Sequence, residues 1–213
     1  IAAKCGLHKN TVFSLLKTLT ALGYCDHARD TQTYRIGRRT FELARNAERN
    51  LDIVTLVRPL MLRLVWQFRE SLSLAVPGND SCLVVSTVEG TYGVRGSRFQ
   101  GQYAPYHASA LGKVILAFQS DEDRATIMQR LNLQRFTSRT ILTAAELDEE
   151  CRRIQDRGYA ISTAEEEIGA SAVAAPIFSR GGLVIGSLAI WGPSARLTRQ
   201  RLAEHGEKLA KEC

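Results

Sequence analysis

Two apolar segments joined by a Gly-Gly pair constrain the fold of this chain most. Residues 172–178 and 183–191 are largely apolar, and Gly181-Gly182 lies between them. A Gly-Gly pair between two extended segments predicts a β-hairpin, because glycine readily adopts the positive φ angles of tight hairpin turns. A hairpin makes its two strands antiparallel, so the pattern argues against a doubly wound parallel sheet.

Further strand and helix patterns surround this hairpin. Strands are predicted at 71–76, 82–88, 94–99 and 159–163. Helices are predicted from Asp52, over 108–118 and 122–131, from a Thr143–Glu146 capping box to about residue 157, and from Thr198 onward. Helices before, between and after antiparallel strands indicate the α+β class.

The beginning of the chain carries the apolar spacing of a helix-turn-helix unit. Residues 2–5 are expected to end one helix, and Gly6 supplies the left-handed conformation that terminates it. The next helix carries an apolar stripe at helical spacing, formed by Val12, Leu15, Leu16, Leu19 and Leu22. This stripe is expected to pack back onto the first helix.

The remaining surface of the second helix is polar and suited to DNA. Its start and its opposite face carry Lys9, Asn10, Thr11, Ser14, Lys17 and Thr18. Such side chains reach base edges and phosphates when a helix lies in the major groove. An amphipathic helix with a solvated polar face is the alternative that this pattern alone leaves open.

A short hairpin is predicted directly after this helix. Residues 24–28 and 33–36 alternate as strands about a polar turn, and a hairpin in this place is typical of a DNA-binding wing. Arg29 and Arg35 would then contact the DNA backbone or the minor groove. A charged helix follows over 38–50, which we interpret as a linker helix.

Charge and cysteine usage narrow the class of protein further. Residues 1–50 hold nine Lys/Arg and four Asp/Glu, a net charge of +5, whereas the other 19 and 18 give +1. This asymmetry is expected of a nucleic-acid-binding end on a nearly neutral body, and a well-solvated basic face is the alternative that charge alone leaves open. Five scattered cysteines and four dispersed histidines predict a reduced, cytoplasmic protein without metal, cofactor or membrane span. The chain begins without Met and inside a helical pattern, so we expect that part of the first unit precedes it.

Several motifs along the chain resemble the IclR family of bacterial regulators. The central one is Pro105-Tyr106-His107-Ala108-Ser109-Ala110-Leu111-Gly112-Lys113. Others are Gly158-Tyr159-Ala160, Glu165-Glu166 with Gly169, residues 174–178, Gly192-Pro193 and Arg196-Leu197-Thr198. Residues 6–11 also fit the start of the family's recognition helix, so the resemblance spans essentially the whole chain.

The resemblance implies a domain plan and partners. It implies a truncated winged helix-turn-helix at 1–37, a linker helix at 38–51, and a GAF-like sensor domain at 52–213 with an antiparallel sheet of about six strands. It further implies homodimers, which can pair into dimers of dimers, on double-stranded operator DNA. The sensor domain would bind a small organic acid or an aromatic metabolite.

The family's effector pocket, carried over by motif, falls on eight positions of this chain. They are His107, Ala108, Ser109, Ala110, Ser162, Ala172, Ala189 and Trp191. Helix amides near Ser109 can hold a carboxylate, and the two serines can add hydroxyl donors. Ala189 and Trp191 replace small hydroxyl residues, which predicts an apolar or aromatic wall, although Trp191 could equally belong to the core. The run Glu165–Glu167 is expected to be a solvated loop.

Two other functions remain open from the sequence. A Ser109 nucleophile with His107 as base would make an acyl-transfer enzyme, but no G-x-S-x-G turn supports it. The chain could instead be a sensor that acts through protein partners, with its first unit serving dimerisation. The basic excess at the start of the chain argues against that alternative, and we predict a regulator that is not an enzyme.

Overall fold

The computed structural model describes residues 1–28, 30–31, 33–49, 52–95 and 100–213, with the backbone alone for 44–49 and 52. Two compact units are distinguishable, residues 1–55 and residues 56–213. Within the described ranges no helix is both long and apolar enough to cross a membrane. The same ranges contain no group of three or more His, Cys, Asp or Glu side chains that could hold a metal ion.

The first unit opens with two helices and a tight turn, as the sequence predicts. Helix α1 (Ala2–Cys5) ends at Gly6, whose φ of 62° lies in the left-handed region. Helix α2 (Lys9–Ala21) follows, and the His8 side chain caps it by accepting a hydrogen bond from the Asn10 amide. The turn works because glycine adopts this conformation without a steric penalty.

A two-stranded hairpin follows α2, as the sequence predicts. Strands β1 (Cys25–Ala28) and β2 (Thr33–Ile36) pair antiparallel, and the rings of His27 and Tyr34 stack across the pair at 4.6 Å. Arg29, one of the predicted DNA contacts, lies outside the described residues. Helix α3 (Arg38–Arg49) comes directly after the hairpin.

The second unit is built on a six-stranded antiparallel sheet. The strands are β3 (Ser71–Val76), β4 (Ser81–Val88), β5 (Tyr103–Pro105), β6 (Ala160–Thr163), β7 (Ala170–Phe178) and β8 (Val184–Pro193), in the order β5-β4-β3-β8-β7-β6. The β7-β8 hairpin turns through Gly182 at φ 79°, as the Gly-Gly pair predicts. The α+β class is therefore confirmed.

One predicted strand is displaced along the chain. Val94 and Arg95 do not form a strand, and the rest of the segment predicted at 94–99 lies outside the described residues. The strand that extends the sheet beyond β4 is instead β5, where Ala104 pairs with Cys82. The prediction followed the apolar residues Val94 and Phe99, whereas three residues suffice for an edge strand that pairs on one side.

In the part of the chain that the structure describes, five helices follow α3. They are α4 (Asp52–Phe68), α5 (Ala110–Ala117), α6 (Asp121–Arg130), α7 (Ala144–Arg157) and α8 (Arg199–Ala210). Thr143 caps α7 and Thr198 caps α8, as the sequence predicts. All eight residues of α5 are buried, and this helix joins the core cluster formed with α7 and the sheet.

The motif at the end of β8 has a packing role. Gly192 leaves the space that the Glu70 carboxylate occupies, since a Cβ there would lie 2.5 Å from Glu70 Oε2. Glu70 is 3% exposed and accepts two hydrogen bonds from Arg196, at 2.6 and 2.8 Å. A buried carboxylate needs such a bidentate partner. Gly192 and Arg196 therefore act together to fix the start of β3 against the end of β8.

Candidate functional site

A cavity of about 390 Å³ lies between the sheet and the first turn of α5. Its floor follows from the strand register. Ser162 pairs with Ala172, Ala172 with Trp191, and Trp191 with Ser71, so the four residues form one row across four strands. Residues directly opposite each other in antiparallel strands share a face of the sheet. Ser162, Ala172 and Trp191 of this row line the cavity, and the small Ser162 and Ala172 side chains leave open volume beside the indole.

The neighbouring row of the sheet is buried, and one of its residues, Ala189, also lines the cavity. Ala160, Ala174 and Ala189 lie opposite one another across β6, β7 and β8. These alanines belong to the buried cluster that includes α5. Alanine side chains let the helix approach the sheet closely. The cavity therefore begins where α5 begins, one row further along the strands.

The start of α5 is fixed by its own motif residues. Ser109 Oγ accepts a hydrogen bond from the Gly112 amide at 2.9 Å and donates one to the Pro105 carbonyl at 2.7 Å. Gly112 has no room for a side chain, because a Cβ would lie 2.3 Å from the Pro105 oxygen. Ala110 and Leu111 line the cavity, and their amides have no partner within the helix because they are its first residues. These amides give the cavity one electropositive end.

Trp191 forms a fixed aromatic wall. Its indole Nε1 donates a hydrogen bond to Ser73 Oγ at 3.0 Å, and the side chain lines the cavity. The polar edge of the ring is thus engaged by the sheet. What Trp191 presents to the cavity is apolar ring surface, suited to stacking or hydrophobic contact.

The acidic run differs from the solvated loop expected of it. Glu165 is largely buried and accepts hydrogen bonds from Lys113 Nζ at 2.7 and 2.8 Å. Lys113 is 1% exposed and also donates to the Ile161 carbonyl at 2.7 Å. Burial raises the pKa of Glu165, and the nearby Lys113 ammonium offsets part of this rise. The next two residues, Glu166 and Glu167, line the cavity.

Two threonines hold the backbone of this acidic turn. Thr137 Oγ1 donates to the Ala164 carbonyl and Thr140 Oγ1 to the Glu165 carbonyl, both at 2.7 Å. Ala164 itself has a φ of 53°, which a non-glycine residue rarely adopts. Together with Lys113, these bonds fix the backbone of the turn whose Glu166 and Glu167 line the cavity.

The structure brings six of the eight predicted effector positions to the cavity. They are Ser109, Ala110, Ser162, Ala172, Ala189 and Trp191. Ala108 is buried, and its carbonyl accepts a hydrogen bond from Ser162 Oγ at 2.9 Å. His107 is buried as well; its Nε2 lies 2.9 Å from the Gln134 carbonyl and it lines a separate, shallower pocket with Phe136.

Sequence reasoning missed seven lining residues. They are Gln102, Tyr103, Leu111, Glu166, Glu167, Ala170 and Ser171. Gln102 and Tyr103 were missed because the last strand of the sheet was placed too early in the chain. Leu111 follows directly from Ala110 at a helix start and could have been included. Glu166 and Glu167 were missed because their position depends on the preceding residue, Glu165. Glu165 is held by Lys113, which is distant from it in sequence.

In the first unit, the predicted DNA-contacting side chains of α2 all lie on the surface. Lys9, Asn10, Thr11, Ser14, Lys17 and Thr18 are exposed, as is Arg35 on β2. At 100° per residue, Asn10, Ser14, Lys17 and Thr18 share one face of the helix. Val12, which is buried, lies on the opposite face. The apolar stripe is less packed than the sequence predicts, because Leu15, Leu19 and Leu22 are 50%, 38% and 55% exposed.

Comparisons with known proteins agree with this architecture. The model of the bacterial transcriptional regulator IclR C-terminal family matches residues 46–213. The chain is 29% identical over 199 residues to the transcriptional regulator KdgR of Escherichia coli, covering 93% of this chain and 76% of KdgR. It is 30% identical over 203 residues to the transcriptional regulator BhcR of Paracoccus denitrificans, covering 95% of this chain and 73% of BhcR. A crystal structure of an IclR family regulator from Brucella abortus superposes with a TM-score of 0.82 at 25% identity, covering 99% of this chain and 79% of that structure's chain.

The α+β fold, the buried motif residues and these matches together define a class, the helix-turn-helix transcriptional regulators with a separate C-terminal domain. The chain belongs to the IclR family of that class. The relatives are named as transcriptional regulators, which confirms the prediction of a regulator and not an enzyme.

Proposed function

We propose that this chain is an operator-binding regulator whose C-terminal cavity binds a small organic acid or aromatic metabolite and thereby modulates DNA binding. The observation that carries the proposal is the cavity itself. It combines the first amides of α5, at Ala110 and Leu111, with the indole of Trp191 and a floor of small residues. Polar groups placed beside apolar and aromatic surface in a concave site are typical of small-molecule binding.

The polarity of the cavity suggests how an effector would lie in it. A carboxylate is stabilised at the start of α5, because the amides there carry the positive end of the helix dipole. The body of the effector would then lie over Ala172 and Ala189 and against Trp191. Ser109 acts mainly by holding the helix start, since its hydroxyl is engaged at both the Pro105 carbonyl and the Gly112 amide.

DNA binding is assigned to the first unit. The exposed face of α2, with Lys9, Asn10, Thr11, Ser14, Lys17 and Thr18, would lie in the major groove of operator DNA. Arg29 and Arg35 of the wing segment would contact phosphates or the minor groove. The chain would act as a homodimer, alone or as a dimer of dimers, because palindromic operators match two-fold symmetric proteins.

Effector and operator would be coupled through the conformational equilibrium of the oligomer. A ligand changes DNA affinity only if it binds one arrangement of the protein better than another. Coupling free energies of about 1–3 kcal/mol correspond to roughly 5–150-fold changes in affinity. A DNA titration with and without effector measures this factor directly.

The decisive test fills the cavity without disturbing the cap of α5. We expect Ala172→Phe to fold normally and bind operator DNA, yet to lose its response to metabolites that shift the melting temperature of the wild-type chain. Ala144→Phe, in the exposed first turn of α7, is the matched control and should retain the response. An unchanged response in Ala172→Phe would show that effectors bind elsewhere.

A further inference from the structure

Building on the proposed homodimer, we infer that one face of helix α4 is the surface on which a second copy of this chain packs. The two α4 helices would lie antiparallel, about a two-fold axis near Leu62. The reason is that α4 carries apolar side chains on two opposite sides, whereas its own unit covers only one of them.

One side of α4 is packed within the second unit. Val57, Met61, Leu64, Val65 and Phe68 are all buried, with exposed fractions of 9% or less. At 100° per residue these five positions fall within an arc of about 100°. A stripe of this width is what a surface helix normally directs at its core, and the opposite side of such a helix is normally polar.

The opposite side of α4 is apolar as well, yet it is exposed. Four exposed residues form it, and we call them the α4 stripe: Leu56, Pro59, Leu62 and Trp66. At 100° per residue they share an arc of about 120°. Arg63 lies in the same arc, and its charge is balanced by two hydrogen bonds that it donates to the Glu212 carboxylate. A helix with apolar residues all round is typically covered on both sides.

The α4 stripe distinguishes this helix from the other helices of the second unit. Helices α5, α6, α7 and α8 are described over their whole length, and none of them has a large hydrophobic side chain in the exposed class. Exposed apolar residues that occur singly on a surface are normal, whereas a contiguous patch marks an interaction site. The pattern therefore indicates that α4 meets a partner.

The area of the stripe suits a dimer of this chain. Leu56, Leu62 and Trp66 are 75%, 47% and 76% exposed. Together they expose on the order of 400 Å² of apolar surface, so two copies would bury about 800 Å² from these side chains alone. With the bordering Arg58 and Gln67, the total would reach the roughly 1,000 Å² that a specific interface requires.

The arrangement of the stripe fits a two-fold axis. Leu56 and Trp66 lie at its ends, about 15 Å apart along the helix, and Pro59 and Leu62 lie between them. In an antiparallel pair, Trp66 of each copy would pack against Leu56 of the other, and Leu62 would lie near its own counterpart. Such an interface closes with two copies and leaves no apolar end exposed.

Sedimentation of the full chain tests this interface. We expect wild type to sediment as a dimer at micromolar concentration, and Trp66→Glu to raise the dissociation constant of the dimer by about 100-fold or more. The reason is that one substitution removes two central aromatic contacts from a two-fold interface. The matched control is Leu183→Glu, which introduces the same charge at a residue that is 71% exposed beside the β7-β8 turn and should sediment like wild type.

Cross-linking tests the antiparallel geometry. The cysteines that are not buried, Cys5, Cys25 and Cys213, are first replaced by Ser, and Cys82 and Cys151 remain because they are buried. In this background Leu62→Cys should give a covalent dimer with a short bis-maleimide, whereas Leu183→Cys should stay monomeric on a denaturing gel.

The outcomes separate this inference from the function on which it rests. Unchanged sedimentation of Trp66→Glu, no cross-link through Leu62→Cys, or equal dissociation in Leu183→Glu would each overturn the α4 interface. A wild-type chain that is monomeric at 100-fold higher concentration, about 100 μM, would overturn both the interface and the homodimer. The effector site is measured apart from both, by the shift in melting temperature with metabolites, because no residue of the α4 stripe lines the described cavity.

Discussion

Replacing Lys113 with Met should destabilise the second unit more than any other single charge removal in it. The Lys113 and Glu165 side chains are 1% and 14% exposed, and two short hydrogen bonds join them. Lys113→Met would leave the Ile161 carbonyl without this donor and would leave the buried Glu165 carboxylate with the longer, 3.4 Å hydrogen bond from the Thr163 amide. Removing one partner of such a buried pair costs about 3–5 kcal/mol. Glu150, whose Oε1 lies 3.8 Å from Lys113 Nζ, loses less, because Arg157 still donates a hydrogen bond to it at 2.8 Å.

Thermal unfolding followed by circular dichroism measures this cost. For a unit of this size, about 3–5 kcal/mol corresponds to a fall in melting temperature of roughly 6–20 °C. The variant Arg63→Met is a matched control, since it breaks the exposed pair of Arg63 with Glu212 and should melt close to wild type. Replacing both partners, in K113M/E165L, should recover most of the loss, because no unpaired charge remains buried.

The pH dependence of Lys113→Met has a definite sign. Without the ammonium, burial alone acts on Glu165 and raises its pKa further above the unfolded value. A carboxyl whose folded pKa is raised stabilises the protein below its unfolded pKa and loses that contribution as pH rises through the folded pKa. The gap in melting temperature to wild type should therefore narrow as pH falls toward the pKa of an ordinary Glu. A gap that stays constant with pH, or a melting temperature equal to wild type at pH 7, would refute the assignment of a buried, charge-paired Glu165.

Two further outcomes follow from the packing of β8 and from the exposed face of α2. Gly192→Ala should lower the melting temperature, because the added Cβ would displace the Glu70 carboxylate. The control Gly181→Ala should change the melting temperature little, because the atom nearest to its added Cβ lies 3.8 Å away. Equal melting temperatures for the two variants would contradict this account. Lys17→Ala should weaken binding to operator DNA and reduce the slope of log affinity against log salt concentration by about 0.9. A filter-binding or fluorescence titration measures this slope, and the control Lys211→Ala should leave it unchanged.

Local signals account for most of the elements that the sequence predicts correctly. The caps at Thr143 and Thr198 depend on a side chain and an amide three residues away, and Gly182 fixes its turn by its own conformation. Such short-range preferences act on the chain before any tertiary contact forms. Short-range preferences do not predict strand β5, because Tyr103–Pro105 forms a strand by pairing with β4.

The cavity could be predicted only in part, because it depends on contacts between distant segments. The floor requires the register that places Ser162, Ala172 and Trp191 in one row. The acidic wall requires Lys113 to pair with Glu165, 52 residues further along the chain. Periodicity and spacing carry no information on either. The motif resemblance supplied positions on both sides of the cavity, but not which atoms of those residues face the open volume.

The family motifs mainly stabilise the structure, whereas other residues form the cavity wall. Because different residues have these two roles, one fold can serve different effectors. Gly112, Lys113, Gly192 and Arg196 are held by close backbone approach or by buried ion pairs, so substitutions there act first on stability. Ala172 and Ala189 of the floor carry side chains whose exchange alters shape without unpairing a buried group, whereas Ser162 also donates to the buried Ala108 carbonyl. Trp191 is the intermediate case, since its ring lines the cavity while its N–H is anchored in the sheet. The specificity of this chain is therefore expected to lie in Trp191 and the acidic turn, on a frame that the motifs keep constant.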